Sequence, residues 1–316
     1  MSGKHRVAII GCGRMGKLHI QGYKQEPRCE VVAVVDILRE KAEEFVKTHA
    51  LSARVFTDHA EMLRAIQPEM VSICLWTRLH LPVIRDCAAA GVPAIHCEKP
   101  MAPSWGDARQ IARIARGSKS RLTFSHQRRF APSFSRARDL LRTGEFGALE
   151  RIEAFNPANI LDWGTHIIDL IHMYNNETPV NWVMAQIDAR KIGQWFDIKY
   201  EHACVASLKF DNGVRAIIHS GDDKEMNLGI RLNCAGGIIE ARAEQQLRSL
   251  KFCEGKWDET EFANSQGDQA PVAIAGVVKN LVDTLESGQT PAERMLEAWH
   301  RRWGGDLAHL YAEESF

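Results

Sequence analysis

The sequence predicts an α/β fold in two parts: a doubly wound parallel sheet, then an α+β domain with a large, mostly antiparallel open sheet. In the first part, short apolar runs alternate with helical stretches, as in parallel sheets with crossover helices. Between residues 181 and 252, strand-like runs follow one another directly, which favours antiparallel pairing. We therefore expect a first domain over 1–122 and a second over 123–316.

The composition is that of a globular protein whose positive and negative charges balance. The 316 residues are 45% hydrophobic, and 40 basic residues balance 40 acidic ones. Such a balance recruits neither nucleic acid nor an anionic membrane, and no apolar run reaches the roughly 18 residues of a membrane helix. The 8 cysteines include no C-x-x-C pair, which indicates reduced thiols. We expect a cytoplasmic protein that binds neither nucleic acid nor membrane.

The first buried strand, at 7–10, runs directly into a glycine-rich turn that opens a helix. In this context the pattern G-x-G-x-x-G predicts a dinucleotide site, whereas alone it would fit any strand-to-helix turn. Gly11 permits the tight turn, Gly13 lets the backbone approach a pyrophosphate, and Gly16 lets the helix pack on the strand. The N–H groups at the helix start then face the phosphates.

A second apolar strand, at 31–35, ends in Asp36, about 20 residues after Gly16, which is the spacing of a ribose-binding acid. A carboxylate there accepts hydrogen bonds from the adenosine ribose and repels a 2′-phosphate. The cofactor predicted is NAD, with NADP as the alternative because Arg39 follows three residues later.

The alternation of strands and helices continues through the first domain. Predicted helices cover 39–50, 58–65, 79–90 and 104–116, and predicted strands cover 54–56, 70–75, 94–97 and 121–124. Asp58 is the predicted N-cap of the helix at 58–65. Gly91 is predicted to end the helix at 79–90.

Polar residues follow two of these strands, at the edge of the sheet where ligands bind. Trp76 and Thr77 follow one strand, and Glu98 and Lys99 follow another. Because Lys99 precedes Pro100, its backbone is held out of the helical region. We expect Lys99 on an extended segment at the sheet edge.

Several motifs of the first half occur together: Gly11-x-Gly-x-x-Gly16 with His19, Asp36, Leu-His-x-Pro at 79–82, Ala-Ala-Gly at 89–91 and Glu98-Lys99-Pro100. With them the chain resembles the Gfo/Idh/MocA oxidoreductases, which include glucose–fructose oxidoreductase and inositol dehydrogenase. One departure is Trp76-Thr77-Arg78, where many members have Thr-Pro-Asn. The resemblance implies cofactor contacts from Gly11, Gly13, Arg14, Met15, Gly16, Asp36, Trp76, Thr77, His80, Glu98, Lys99 and Gln127.

The segment Ser125-His-Gln-Arg-Arg-Phe130 is similar to the family's Asn/Gln-Arg-Arg-Phe segment. The resemblance places Gln127 and Arg128 near the nicotinamide and the substrate. Basic residues are frequent between 113 and 142; solvated surface charge is the favoured interpretation, and an anionic substrate is the alternative.

Residues 160–171 open a helix, after a strand at 148–155. Asp162 and His166 share a helical face if the helix has begun by Asp162, and residue reasoning alone favours an N-cap and a surface pair. The resemblance favours catalysis, because Asp-x-Gly-x-His-x-x-Asp is the family's second signature. It implies a catalytic group of Lys99, Asp162 and His166, and substrate contacts from Lys99, Arg128, Asn156, Asp162 and His166.

A metal site is the alternative use of this helix, since His166, Asp169 and His172 are spaced by three. Helical spacing with a single carboxylate is weak support for a metal site, and we expect no metal.

The loop at 156–161 is shorter than in many family members, so Trp195, Phe196 and His202 are alternative sources of substrate contacts. Predicted strands cover 181–191, 201–210, 213–220, 228–234, 237–241 and 247–252, with a hairpin turn at Asp211-Asn-Gly213. In the family this sheet serves oligomerisation, so we expect a homodimer or homotetramer; the alternative is a monomer with a solvated sheet. Two closing helices are predicted at 271–287 and 291–314, the last packing back on the first domain.

The function predicted is hydride transfer between NAD(P) and a secondary hydroxyl or ketone of a sugar, cyclitol or related polyol. His166 has the pKa range of a base, and Lys99 can stabilise developing alkoxide charge; Asp162 would orient His166. The first alternative is a glycoside-cleaving enzyme that uses transient oxidation and elimination. The second is a dinucleotide-binding regulator without turnover.

Overall fold

The computed structural model describes residues 3–195, 198–221, 227–243, 247–262 and 269–289. They fall into two compact units. The first contains the chain up to Gln127 and a helical segment from Ala270, and the second contains the chain from Arg128 to Gln269. The division at residue 122 stays a prediction.

The first unit is built on a parallel six-stranded sheet. Its strands are β1 (His5–Ile10), β2 (Cys29–Val35), β3 (Arg54–Phe56), β4 (Met70–Ile73), β5 (Ala94–Cys97) and β6 (Arg121–Phe124). Its helices are α1 (Arg14–Gln25), α2 (Arg39–Thr48), α3 (His59–Ile66), α4 (His80–Ala89) and α5 (Trp105–Gly117), with a 3-10 turn at Thr77–Leu79. The strand order β3-β2-β1-β4-β5-β6 is the predicted doubly wound arrangement. Its switch point lies between β1 and β4, where such sheets bind ligands.

Local signals place the helix ends of this unit. The Asp58 carboxylate accepts a hydrogen bond from the Glu61 N–H at 2.6 Å, as an N-cap should. Ser104 caps α5 by accepting from the Asp107 N–H at 3.2 Å. Gly91 follows α4 with a φ of +74°, a conformation that favours glycine.

The second unit is built on an eight-stranded sheet with two helices. Its strands are β7 (Leu149–Asn156), β8 (Val180–Asp188), β11 (Ala203–Phe210), β12 (Arg215–Gly221), β13 (Gly229–Cys234), β14 (Gly237–Arg242), β15 (Leu247–Cys253) and β16 (Lys256–Phe262), and β9 (Gly193–Trp195) pairs separately with β10 (Ile198–Tyr200). The helices are α6 (Pro132–Arg142) and α7 (Gly164–Tyr174), and a 3-10 turn covers Gln127–Phe130. In the large sheet, β7 and β12 are parallel and the other neighbouring strands are antiparallel, as predicted.

The start of α7 differs from the prediction. The helix begins at Gly164 rather than near residue 160, because residues 160–163 form turns and the Gly164 N–H bonds to the Asn159 carbonyl at 3.1 Å. A Cβ at Gly164 would lie 2.5 Å from Cδ1 of Ile160, so glycine lets this turn pack on the helix. Asp162 therefore precedes the helix, and the shared helical face proposed for Asp162 and His166 is not formed.

The last described helix, α8 (Gln269–Ser287), belongs to the first unit from Ala270 onward. Its buried residues Ile274, Val278, Leu281 and Val282 join the core formed by β1, β2 and α1. A Cβ at Gly22 of α1 would lie 2.5 Å from Cγ2 of Ile274, so the two helices pack closely. The helix predicted at 291–314 lies outside the described residues. Among the helices in the described ranges, none has the length and apolarity needed to cross a membrane.

Candidate active site

The glycine loop after β1 has two glycines required by the chain itself and one that leaves the backbone open. A Cβ at Gly11, whose φ is +100°, would lie 2.5 Å from the Cys74 carbonyl oxygen. A Cβ at Gly16 would lie 2.2 Å from the Gly11 carbonyl oxygen. A Cβ at Gly13 would meet nothing within 4 Å. The space over Gly13 fits the close approach of a pyrophosphate to the main chain.

The N-terminus of α1 has the features of an anion-binding site. Gly13 is its N-cap without a side-chain cap, and the first turn, which includes Arg14 and Met15, contains no acidic residue. The positive end of the helix dipole is therefore open to a phosphate group.

Asp36 lies at the end of β2 and holds the nucleotide loop together. Its Oδ2 accepts from the Cys12 N–H and its Oδ1 from the Leu38 N–H, both at 3.0 Å. The carboxylate is only half-buried, so it can face a ribose while it braces the loop. The residues around the loop thus fit a dinucleotide.

The segment after β4 carries an exposed Trp76 and a buried Thr77. His80 is buried, with Nδ1 3.0 Å from the Pro100 carbonyl oxygen and Nε2 3.1 Å from the Leu75 carbonyl oxygen. Burial lowers the pKa of His80, and a neutral imidazole donates one hydrogen bond. The ring has no exposed surface and contacts main-chain carbonyls, and its part in cofactor binding stays a prediction.

Lys99 follows β5 at the carboxyl end of the sheet, beside a buried carboxylate. Glu98 is 3% exposed, and its Oε2 accepts a hydrogen bond from the Lys99 N–H at 3.2 Å. Its Oε1 lies 2.6 Å from Nε2 of His19, which is fully buried on α1. Glu98, expected at the cofactor, is thus directed at a histidine.

The charges of this pair follow from their contacts. Burial opposes a charge on His19, but Cys74 and Glu98 raise the pKa of His19 to about 10. Burial would raise the pKa of Glu98, but the hydrogen bond and charge of His19, with the charge of Lys99, hold it below its usual value. The two side chains form a buried ion pair. Sequence reasoning named His19 only as a motif residue, and its place three residues after Gly16, on the buried face of α1, is the signal it offered.

In the second unit, a short loop leads to α7 and carries Asp162. The Asp162 N–H donates to Oδ1 of Asn159 at 2.7 Å, and the Asp162 carbonyl accepts from the Thr165 hydroxyl at 2.9 Å. His166 lies in the first turn of α7 and is buried. The structure thus brings Asp162 and His166 to the same helix start.

Two side chains anchor this loop from below. Oδ1 of Asn156, which is buried at the end of β7, accepts from the Ala158 N–H at 3.0 Å. The Glu201 carboxylate accepts from the Ile160 N–H at 2.6 Å, and burial raises the pKa of Glu201. Glu201 was missed by sequence reasoning, which considered only its neighbour His202. The Trp195 side chain and Phe196 lie outside the described residues.

Asp169, the carboxylate of the alternative metal site, is engaged by an arginine. Arg129 and Asp169 are both buried, with Nε to Oδ2 at 2.9 Å and Nη2 to Oδ1 at 2.5 Å. Both carboxylate oxygens are therefore used inside the fold. The described ranges contain no group of three or more His, Cys, Asp or Glu residues arranged to hold a metal ion.

The predicted site residues divide between the units. The first holds the glycine loop, Asp36, Lys99 and Gln127, and the second holds Arg128 and the group at the start of α7. Within each unit, residues far apart in sequence meet at one place: the carboxyl end of the parallel sheet, and the turn that opens α7.

The chain is similar to known oxidoreductases. Residues 5–126 match the model of a family described as an oxidoreductase family with an NAD-binding Rossmann fold. The rhizopine catabolism protein MocA of Rhizobium meliloti is 27% identical over 196 residues, which cover 58% of this chain and 61% of that protein. The chain thus spans about three fifths of the length of this relative.

Two further proteins extend the likeness to the second unit. Inositol 2-dehydrogenase of Corynebacterium glutamicum is 24% identical over 332 residues, covering 99% of this chain and 93% of that protein. The structure of a putative NADPH-dependent oxidoreductase from Desulfitobacterium hafniense has a TM-score of 0.81 at 18% identity, covering 94% and 93% of the two chains, and shows the same fold. The family match agrees with the predicted NAD-binding Rossmann fold over these residues. Residues 5–126 of this chain thus match the NAD-binding Rossmann domain of the Gfo/Idh/MocA oxidoreductases.

Proposed function

We propose that this protein is an NAD-dependent dehydrogenase that oxidises a secondary hydroxyl of a sugar, cyclitol or related polyol. The observation that carries the proposal is the placement of Lys99 at the carboxyl end of the sheet whose glycine loop is open at Gly13. The likeness to an inositol 2-dehydrogenase over 99% of this chain supports the substrate class.

Each proposed catalytic residue has a separate task. Bound nicotinamide supplies the acceptor for hydride. Lys99 donates a hydrogen bond to the substrate oxygen and stabilises the developing alkoxide, and His166 takes the hydroxyl proton. Asp162, at the same helix start, orients His166. Arg128, Gln127 and Asn156 complete the proposed contacts.

NAD is preferred over NADP in this proposal. The Asp36 carboxylate accepts two main-chain N–H bonds, which hold an anion where a 2′-phosphate would have to bind. NADP binding remains the alternative because Arg39 is the first residue of α2.

We also propose that the protein is a cytoplasmic homodimer or homotetramer that associates through the open face of the eight-stranded sheet. Exposed apolar side chains occur on its strands: Trp182 and Met184 of β8, Val205 of β11, Phe252 of β15 and Trp257 of β16. Exposed apolar side chains of this kind are typical of a protein interface.

A panel of free sugars and cyclitols with NAD, read by the absorbance of NADH, tests the function. Steady NADH formation with at least one polyol is expected. Release of an aglycone from a glycoside without net NADH would instead establish the glycoside-cleaving alternative. Tight NAD binding without any turnover would overturn the proposal in favour of a regulator.

A further inference from the structure

Four elements of the first unit meet at one buried point beneath Lys99. His19 comes from α1, Ser72 from β4, and Glu98 and Ser125 follow β5 and β6. Nδ1 of His19 lies 2.8 Å from the Ser72 hydroxyl, and its Nε2 lies 2.6 Å from Glu98 and 3.3 Å from the Ser125 hydroxyl. The four residues are at most 3% exposed. The nicotinamide reaction needs no titratable group here, so this cluster calls for a separate explanation.

The cluster contains one buried ion pair and a neutral neighbour. The His19 ring stacks on His96 with the ring centroids 4.4 Å apart. Burial, and then the charge of His19, lower the pKa of His96 well below its usual value, so His96 stays neutral. A buried ion pair contributes little net stability, because desolvation offsets its attraction. A contribution to the geometry of the site is the remaining explanation.

The pair has a direct route to Lys99. One Glu98 oxygen faces His19 and the other accepts the Lys99 N–H at 3.2 Å, so the carboxylate fixes the lysine main chain relative to α1. On the other side, His80 faces the Pro100 carbonyl at 3.0 Å. Buried side chains thus contact the main chain at Lys99 and at the next residue, Pro100.

We propose that Glu98 and His19 are positioning residues: their ion pair sets the place of Lys99 relative to the helix that receives the cofactor pyrophosphate. The inference rests on the proposed function, since Lys99 is the group being positioned. The ion pair acts through the main chain, and neither side chain touches the substrate.

The test is a double-variant cycle of Glu98→Gln, His19→Gln and their combination. Each single change strands a buried charge, so both lower the thermal midpoint. The combination removes both charges, and its thermal midpoint returns toward that of the wild type. Turnover with saturating NAD and polyol is expected to stay roughly 10- to 100-fold low in the combination, because misplacing a reacting group has that cost. The NAD dissociation constant is expected to be unchanged.

A second readout needs no substrate. The rate at which pyridoxal 5′-phosphate labels Lys99, trapped with borohydride and located by mass spectrometry, is expected to differ several-fold between the combination and the wild type. This arm still decides the inference if no polyol is oxidised and the proposed function fails. The matched control is His59→Gln with Asp86→Asn, a surface histidine–carboxylate pair at 2.8 Å, which should leave both readouts unchanged. Wild-type turnover and wild-type labelling in the double variant would overturn the inference.

Discussion

At the residue scale, the glycines of the nucleotide loop differ in the reason for their presence. Some are required for the chain to fold, and one leaves space for a ligand. Gly16 is glycine because the Gly11 carbonyl lies where its Cβ would be, 2.2 Å away. Gly13 meets no atom of the protein within 4 Å, so the fold does not require a glycine there. Of the three glycines, Gly11 and Gly16 are therefore required by the fold, and Gly13 leaves the space that a ligand could use.

Gly13→Ala and Gly16→Ala are expected to affect different properties, NAD binding in the first case and stability in the second. Gly13→Ala should leave the thermal midpoint nearly unchanged and weaken NAD binding roughly tenfold or more, about 1.4 kcal/mol. Gly16→Ala should lower stability by about 1–3 kcal/mol through overpacking. Calorimetric unfolding and NAD titration check both changes. Equal effects of the two substitutions on NAD affinity and stability would contradict this division.

At the element scale, the loop before α7 shows how a strand end and a helix start are joined. Ile160 packs over Gly164, and its N–H is held by Glu201 from the end of β10. These contacts fix the turn in which Asp162 lies. A buried carboxylate that accepts a main-chain N–H thus supports the proposed catalytic group from outside it.

Glu201 also predicts a pH dependence of stability. Burial raises the pKa of Glu201 above its usual 4.5, so its protonated form stabilises the fold at low pH. That contribution is lost as the pH rises through the raised value. Glu201→Gln keeps an oxygen for the Ile160 N–H and does not ionise.

The thermal midpoint of Glu201→Gln, measured relative to that of the wild type, is therefore expected to rise from pH 4.5 upward and then level off. Glu30→Gln, at an exposed position on β2, is the control and should show no such growth. A difference that does not vary with pH would contradict the account.

The sequence predicts elements better than it predicts contacts between distant side chains. The strands of the parallel sheet are short buried apolar runs, so they can be predicted from the sequence. β16 (Lys256–Phe262) was missed because it is a polar, exposed edge strand, and the short strands β9 and β10 were not predicted either. The pairing of His19 with Glu98 joins residues 79 positions apart, and no spacing rule encodes it.

At the scale of the whole molecule, the chain returns to its first unit after building the second. Helix α8 buries Ile274 and Leu281 in the core of the first unit, and Arg28 pairs with Glu286 at 2.7 Å. The predicted boundary did not anticipate this, because a helix's apolar face does not say which core it joins. The open face of the large sheet is the surface proposed for self-association.

Met184→Arg tests that surface. Met184 is 69% exposed on β8, close to Trp182 and to Val205 of the paired strand β11. An arginine charge buried at an interface would oppose association. Ultracentrifugation should find two or four copies of the 35.5 kDa chain in the wild type and a smaller assembly in the variant. Val272→Arg, an exposed apolar position on α8, is the control. An unchanged assembly in Met184→Arg would remove this face from the interface.

The central claim is that Lys99 acts on the substrate oxygen while the glycine loop and Asp36 hold the cofactor. The most direct measurement compares turnover and NAD affinity of Lys99→Ala with the wild type, and Lys24→Ala, an exposed lysine of α1, is the control. Turnover with the best polyol should fall about 10²- to 10³-fold, the cost of losing one such donor, while the NAD dissociation constant stays nearly unchanged. Near-normal turnover of Lys99→Ala would contradict the account.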